Sequence, residues 1–299
     1  MIGMLAWLAC APTTPPPPPP APVVDAPAAA WSPPPGLTRL RFALTPYLEP
    51  AQLLAEHEPM RAWLSQRLGV PVELRVAGSY DELGALLRSG EVDLGEFSPY
   101  AYVRASACDP GLAPLVSQIA DGSASAAGYI VVDADSPIQA LEELRGRRFA
   151  YVDPASTTGF LYAHMLLVGR GLQPGRDFSS VSFLSNHKAV LLAVHEGRVD
   201  AGAVYQGALS ALERSDGITP LSFRIIGKTS RIPRDLLCTR AGLDPAVRES
   251  LRRLLLSVSA QSREGRRILS PMRVNGFVPA DDRLYDPIRE ADAQLQLGE

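Results

Sequence analysis

At 299 residues the chain exceeds the usual size of a single hydrophobic core, so two packed units are expected. Its 46% hydrophobic and 20% charged residues are ordinary for a globular protein, and a net charge of -3 excludes a basic field for nucleic acid. From Leu37 onward no apolar run approaches the roughly 20 residues that a membrane-spanning helix needs.

Met1 to Ala9 is apolar and ends in Trp7-Leu8-Ala9 ahead of Cys10, which is similar to the end of a bacterial lipoprotein signal peptide. That reading makes residues 1–10 a signal and lipidation remnant, with Cys10 acylated and the protein periplasmic. No Lys or Arg precedes the apolar stretch, and Trp7 stands where a smaller residue is usual, so a plain tail with one thiol is the competing reading. Residues 11–36 carry close to half of the chain's 28 prolines, including the unbroken run Pro15 to Pro20. Proline removes backbone donors and favours an extended helix of about 3.1 Å per residue, so this segment is a semi-rigid spacer of up to roughly 80 Å. A proline-rich ligand for a partner is the other use of such a composition.

Leu40 to Leu44 reads as a strand that ends in the loop Thr45-Pro46-Tyr47. An amphipathic helix follows from about Gln52 to Leu68, then a strand over Val70 to Val76 and a helix over Tyr80 to Arg88. Strands that alternate with helices predict an α/β architecture with a largely parallel sheet covered on both faces. Leu87-Arg88-Ser89-Gly90-Glu91-Val92-Asp93-Leu94-Gly95 repeats later as Val194-His195-Glu196-Gly197-Arg198-Val199-Asp200-Ala201-Gly202. Each copy predicts a helix, a left-handed glycine stop and a short strand. Their exits, Phe97-Ser98-Pro99-Tyr100 and Val204-Tyr205-Gln206-Gly207, leave the carboxyl ends of strands, where open α/β sheets bind ligands. Helix, glycine and strand also recur in α/β proteins that share no site.

Gly128 to Val132 and Leu236 to Thr239 read as strands crossing between two lobes. The predicted boundaries are 37–128 with 237–299 for lobe 1 and 129–236 for lobe 2. Arg148 to Val152 is a strand and Phe160 to Leu167 a helix, joined by Asp153-Pro154-Ala155-Ser156-Thr157-Thr158-Gly159. A helix start offers free N–H groups and the positive end of its dipole, and Ser156, Thr157 and Thr158 add hydroxyl donors. Neutral donors hold an oxyanion without a buried ion pair, although plain helix capping explains the same residues. His187 precedes another helix, from about Lys188 to Glu196, and is a second candidate donor. His164 is expected in helix packing, and His57 and His195 exposed. Pro245 to Ala260 predicts a helix with one buried face. Cys108 and Cys238 are read as a disulfide or as two buried thiols, and the sequence holds no metal cluster.

Taken in order, Asp153 to Leu161, His187, Gly197-Arg198-Val199-Asp200 and Ile232-Pro233 resemble the phosphate, phosphite and phosphonate binding proteins of ABC transporters. Val92-Asp93-Leu94-Gly95 and Ser98-Pro99-Tyr100-Ala101-Tyr102-Val103 belong to the same pattern, which covers Leu40 to about Leu255. The resemblance implies a type II periplasmic binding fold, two lobes that close on a phosphorus oxyanion, no cofactor, and delivery by a monomer to an ABC permease. A membrane sensor as partner and an enzyme acting on a phosphoester are the alternatives. Ser156, Thr157, Thr158 and His187 are then expected to hold the oxyanion, faced by Tyr47 and by Phe97, Ser98 and Tyr100, with Tyr205 and Asp235 completing the site. Family members that bind an aminoalkyl phosphonate use two carboxylates. Gly207 stands at the first of these positions and Asp235 matches the second. Glu96 replaces a common aromatic and, if it faces the cleft, is expected to accept a hydrogen bond from a protonated ligand oxygen.

Overall fold

A computed structural model describes residues 36–298, so the signal, Cys10 and spacer readings lie outside the described residues. Two sheets organise the chain. The first contains β1 (Leu40–Leu44), β2 (Val72–Val76), β3 (Leu94–Phe97) and β4 (Ala113–Ile119), joined from the far end of the chain by β12 (Leu236–Thr239) and β13 (Gly276–Pro279). The second contains β6 (Gly128–Asp133), β7 (Arg148–Tyr151), β8 (Ser180–Phe183), β9 (Ala201–Tyr205) and β10 (Phe223–Lys228). Between them β5 (Ser125–Ala126) and β11 (Ile232–Pro233) pair antiparallel, so the chain's two passages between the sheets are hydrogen-bonded to each other.

The sheets are mixed, which corrects the expectation of largely parallel ones. β1 is parallel to both β2 and β3, and β7 is parallel to both β8 and β9. The strands next to the crossings, β4, β6 and β12, run antiparallel to their neighbours. A chain that leaves one sheet and returns reverses direction there, so helix-strand alternation reports only the parallel core of each half.

The helices cover the faces: α1 (Pro50–Leu68), α2 (Tyr80–Arg88), α3 (Pro99–Cys108), α4 (Tyr162–Gly169), α5 (Pro174–Asp177), α6 (His187–His195), α7 (Ala208–Asp216), α8 (Pro245–Ser257), α9 (Arg263–Leu269) and α10 (Asp286–Gly298). Leu53, His57, Met60, Leu64 and Leu68 form the buried stripe of α1, at the spacing that a helix requires of one face. His57 is therefore fully buried, contrary to expectation. α8 is capped by Asp244 and buries Val247, Leu251, Leu254 and Leu255, each complete leucine burial contributing about 1.5–3 kcal/mol. It ends at Ser257 rather than Ala260. Cys108 is exposed and Cys238 buried, both as free thiols, so the disulfide is not formed.

The repeated motif has one structural meaning in both halves. Gly90 and Gly197 take left-handed conformations at φ 75 and 68. The aspartate that follows then binds the arginine at the same place on the neighbouring parallel strand: Arg41 N–H to Asp93 at 3.0 Å, and Arg148 N–H to Asp200 at 2.7 Å. Both guanidinium groups close on the same carboxylates. Each pair fixes strand register at the edge away from the cleft, and the strands' carboxyl ends deliver Ser98 and Tyr205 to it.

Candidate functional site

A cleft of about 320 Å³ opens between the sheets, with Tyr47, Tyr80, Ser98, Ser156, Thr157, Thr158, His187, Tyr205 and Asp235 on its walls. Several of these residues stand at or beside the start of a helix. Tyr80 opens α2, Ser98 caps α3, His187 opens α6 and Gly207 caps α7. Thr157 opens a π-helical turn, Thr157–Leu161, that leads into α4. The first N–H groups of a helix have no partner within it, so these starts surround the cleft with partial positive charge.

The Ser-Thr-Thr turn both caps a helix and touches the facing wall. Ser156 is a cap, its Oγ accepting from Gly159 N–H at 3.1 Å. Thr157 Oγ1 accepts from Tyr100 N–H at 2.8 Å, so the start of α3 meets the start of the π turn. Two further bonds cross the same gap: His187 N–H to Tyr47 O at 3.1 Å, and Asn186 Nδ2 to Glu49 Oε1 at 2.9 Å. The walls are in contact, and Thr158 is half-buried on the cleft surface.

The donors are neutral. Tyr205 N–H donates to His187 Nδ1 at 3.2 Å, so the ring proton sits on Nε2 as a donor. Burial lowers the imidazole pKa to about 3, which keeps it uncharged. Ser98 Oγ is buried with no hydrogen-bond partner among the described residues, and the buried Tyr80 hydroxyl is turned to Ser156. Unsatisfied buried hydroxyls cost about 1–3 kcal/mol each, and on a cleft wall a ligand removes that cost. Asp235 also faces the cleft, and burial, with the charge of Glu96 behind it, pushes its carboxyl up to about 7.

Three expected residues are placed differently. The Phe97 ring is fully buried in the core and the Tyr100 hydroxyl donates to Asp292 at 2.6 Å, so only the Tyr100 backbone meets the site. Glu96 is absent from the cleft wall and lies 3.4 Å from His57 Nε2, a buried pair that corrects its expected contact with ligand. His57 Nδ1 contacts Leu53 O at 2.9 Å. Burial opposes the imidazole's charge, but Glu96 overrides it and raises the pKa. His164 packs beside Tyr151, and His195 lies at the surface near Asp133, both as expected.

Tyr80, Gln118 and Arg273 line the cleft without having been singled out in the sequence. Tyr80 follows the N-cap Ser79 and had a local signal, while Gln118 and Arg273 had none. Arg273, Asp121 and Ser185 are the non-glycine residues with positive φ among those described. Two line the cleft and the third lies two residues before His187, so backbone strain gathers at the site. At Gly207 a Cβ would come within 2.6 Å of Tyr205 Cε2, so the tyrosine ring takes the space a side chain would need.

A family model described as the phosphonate periplasmic substrate-binding protein of an ABC transporter matches residues 42–285. The phosphate-import protein PhnD of Mycolicibacterium smegmatis is 26% identical over 269 residues, covering 84% of each chain. Among solved structures, the binding component of a phosphonate ABC transporter from Pseudomonas aeruginosa has a TM-score of 0.80 at 22% identity, over 87% of each chain. PhnD1 of Prochlorococcus marinus, solved with methylphosphonate, also has a TM-score of 0.80, at 19% identity, over 87% of this chain and 98% of that one.

Proposed function

Because this chain belongs to the family of periplasmic substrate-binding proteins of phosphonate ABC transporters, we propose that its cleft captures phosphate, phosphite or an alkylphosphonate and releases it to the membrane permease. The observation that carries the choice of ligand is the set of neutral donors at converging helix starts, with Ser98 Oγ unpartnered among the described residues and His187 uncharged. A tetrahedral oxyanion satisfies several such donors together. The absence of a cation from this set keeps release possible, since no buried ion pair has to be broken. Ser156, Thr157, Thr158 and His187 form the lobe 2 wall of this seat, and Tyr47, Tyr80 and Ser98 the lobe 1 wall. The relatives' named ligands, phosphate and methylphosphonate, fall within the proposed range.

An aminoalkyl group is not favoured, because Tyr205 occupies the space beside Gly207 that a second carboxylate would need. The protein acts by binding and handover, without turnover. Tethering through acylated Cys10 and the proline-rich spacer completes the proposal, with a monomer at the membrane surface. Cys10→Ser is expected to move the protein from the membrane fraction to the soluble one.

A thermal-shift panel of phosphate, phosphite, methylphosphonate and sulfate tests the central reading. A true ligand at about one hundred times its Kd stabilises the native state by roughly 2.7 kcal/mol. No shift with any phosphorus oxyanion would overturn it.

A further inference from the structure

The cleft is larger than an oxyanion alone requires, and its ionisable lining does not balance. Arg214 lies 3.6 Å from Glu56, and Arg234 lies 3.1 Å from Asp121. Asp235, with its carboxyl pushed up to about 7, carries at most a partial charge near neutrality. Arg273 remains. It lines the cleft and its backbone N–H donates to Ser270 O at 3.0 Å, but its guanidinium takes no ion pair or hydrogen bond among the described residues. It also holds a left-handed backbone at φ 58, a strained choice for arginine where glycine or asparagine is easier.

Tyr205 connects this cation to the oxyanion seat. Its ring packs edge-on to His187 with centroids 4.8 Å apart. Burial raises the Tyr205 hydroxyl pKa, and Arg214 and Arg273 oppose that rise, so both charges act at the same hydroxyl. Arg214 is already engaged with Glu56 and Ser210 O, which leaves Arg273 to meet a ligand.

We propose that Arg273 determines specificity by binding a second anionic group on the ligand, so that the preferred substrates are small phosphonates whose substituent ends in a carboxylate. This rests on the oxyanion seat proposed above. The phosphonate head takes the neutral donors, and the carboxylate takes the guanidinium, whose planar fork donates to two oxygens at once. A cleft cation without an ion pair among the described residues favours a doubly functional anion over an alkyl or aminoalkyl phosphonate.

Calorimetric titration with methylphosphonate, aminoethylphosphonate, phosphonoacetate and 3-phosphonopropionate tests the proposal, on the natural chain and on Arg273→Asn and Arg273→Lys. Asparagine tolerates the left-handed backbone, so its variant removes charge without adding strain. One of the two carboxylates is expected to bind at least about tenfold tighter than methylphosphonate, a step of about 1.4 kcal/mol. Arg273→Asn should abolish that preference while weakening methylphosphonate much less than either carboxylate, and Arg273→Lys should keep most of the preference. Equal affinities in the natural chain, or an equal loss for all ligands in Arg273→Asn, would overturn the role of Arg273. If no phosphonate binds the natural chain, the seat itself is wrong.

Discussion

The two lobes share a framework and differ in what stands behind the cleft. In each, a left-handed glycine, an aspartate clasping an arginine on the next strand, and a short parallel strand lead to a cleft residue. Three residues after the aspartate, lobe 1 has Glu96 and lobe 2 has Ala203. Glu96 is buried against His57 and raises the pKa of Asp235 in front of it, whereas Ala203 is packed among apolar side chains. The lobe 2 wall is thus a set of neutral donors on an apolar support. The lobe 1 wall adds a titratable layer that tunes a carboxyl in the cleft.

Removing that difference should have the largest effect. Glu96→Ala leaves His57 buried without its partner, and urea unfolding is expected to show a loss of about 3–5 kcal/mol. His57→Leu added to it should recover most of the loss, since an apolar pair of similar volume imitates lobe 2. The raised His57 pKa gives the sign with pH: the pair's contribution is complete below about 6.5 and fades as pH rises through the higher folded value. Stability that does not fall above that pH in the natural chain, relative to the double variant, would contradict the pairing.

The two walls can be compared through the ligand contacts proposed for them. Ser98→Ala in lobe 1 and Thr158→Val in lobe 2 each remove one donor to a charged group, about 1.5–3 kcal/mol, so Kd should rise by roughly 10–100-fold in each. A change in only one would mean that a single wall holds the oxyanion.

The clasps should separate next. Asp93 is buried and takes both Arg41 and Arg240, while Asp200 pairs with a more exposed Arg148. Asp93→Ala is expected to cost about 1.5–3 kcal/mol. Asp200→Ala should cost about 1 kcal/mol or less in the same unfolding measurement. Equal losses would show that burial does not separate the lobes.

The smallest effect concerns Asp235. Below about 7 its carboxyl is protonated and tolerates an anion, and above it the carboxylate repels one. Methylphosphonate affinity of the natural chain should therefore fall relative to Asp235→Asn as pH rises from 6 to 8, by less than about tenfold. Comparing the two proteins cancels the ligand's own titration. Parallel profiles would remove Asp235 from the ligand's surroundings.

Much of lobe 2's wall was legible in the sequence because it is local. Ser156, Thr157 and Thr158 lie on one turn at a helix start, and His187 begins a helix capped by Asn186. The buried His57 was legible in principle, since it falls on the apolar stripe of α1. Lobe 1 was harder to read because its contributions are dispersed along the chain: Tyr80 on one helix, Gln118 on β4 and Arg273 before β13 meet only after both ends of the chain join one sheet. Phe97 misled because strand alternation decides which face a ring takes, and that face is the core.

By itself the sequence determined the α/β alternation, the repeated glycine-aspartate framework and the Ser-Thr-Thr turn at a helix start, all encoded within short windows by periodicity, capping and turn chemistry. Only the tertiary structure decided that Glu96 faces His57 and not the cleft, that Tyr205 fills the place beside Gly207, and that Arg273 stands at the cleft with no ion pair among the described residues. Burial and charge pairing depend on neighbours brought from distant parts of the chain, so no local pattern specifies them.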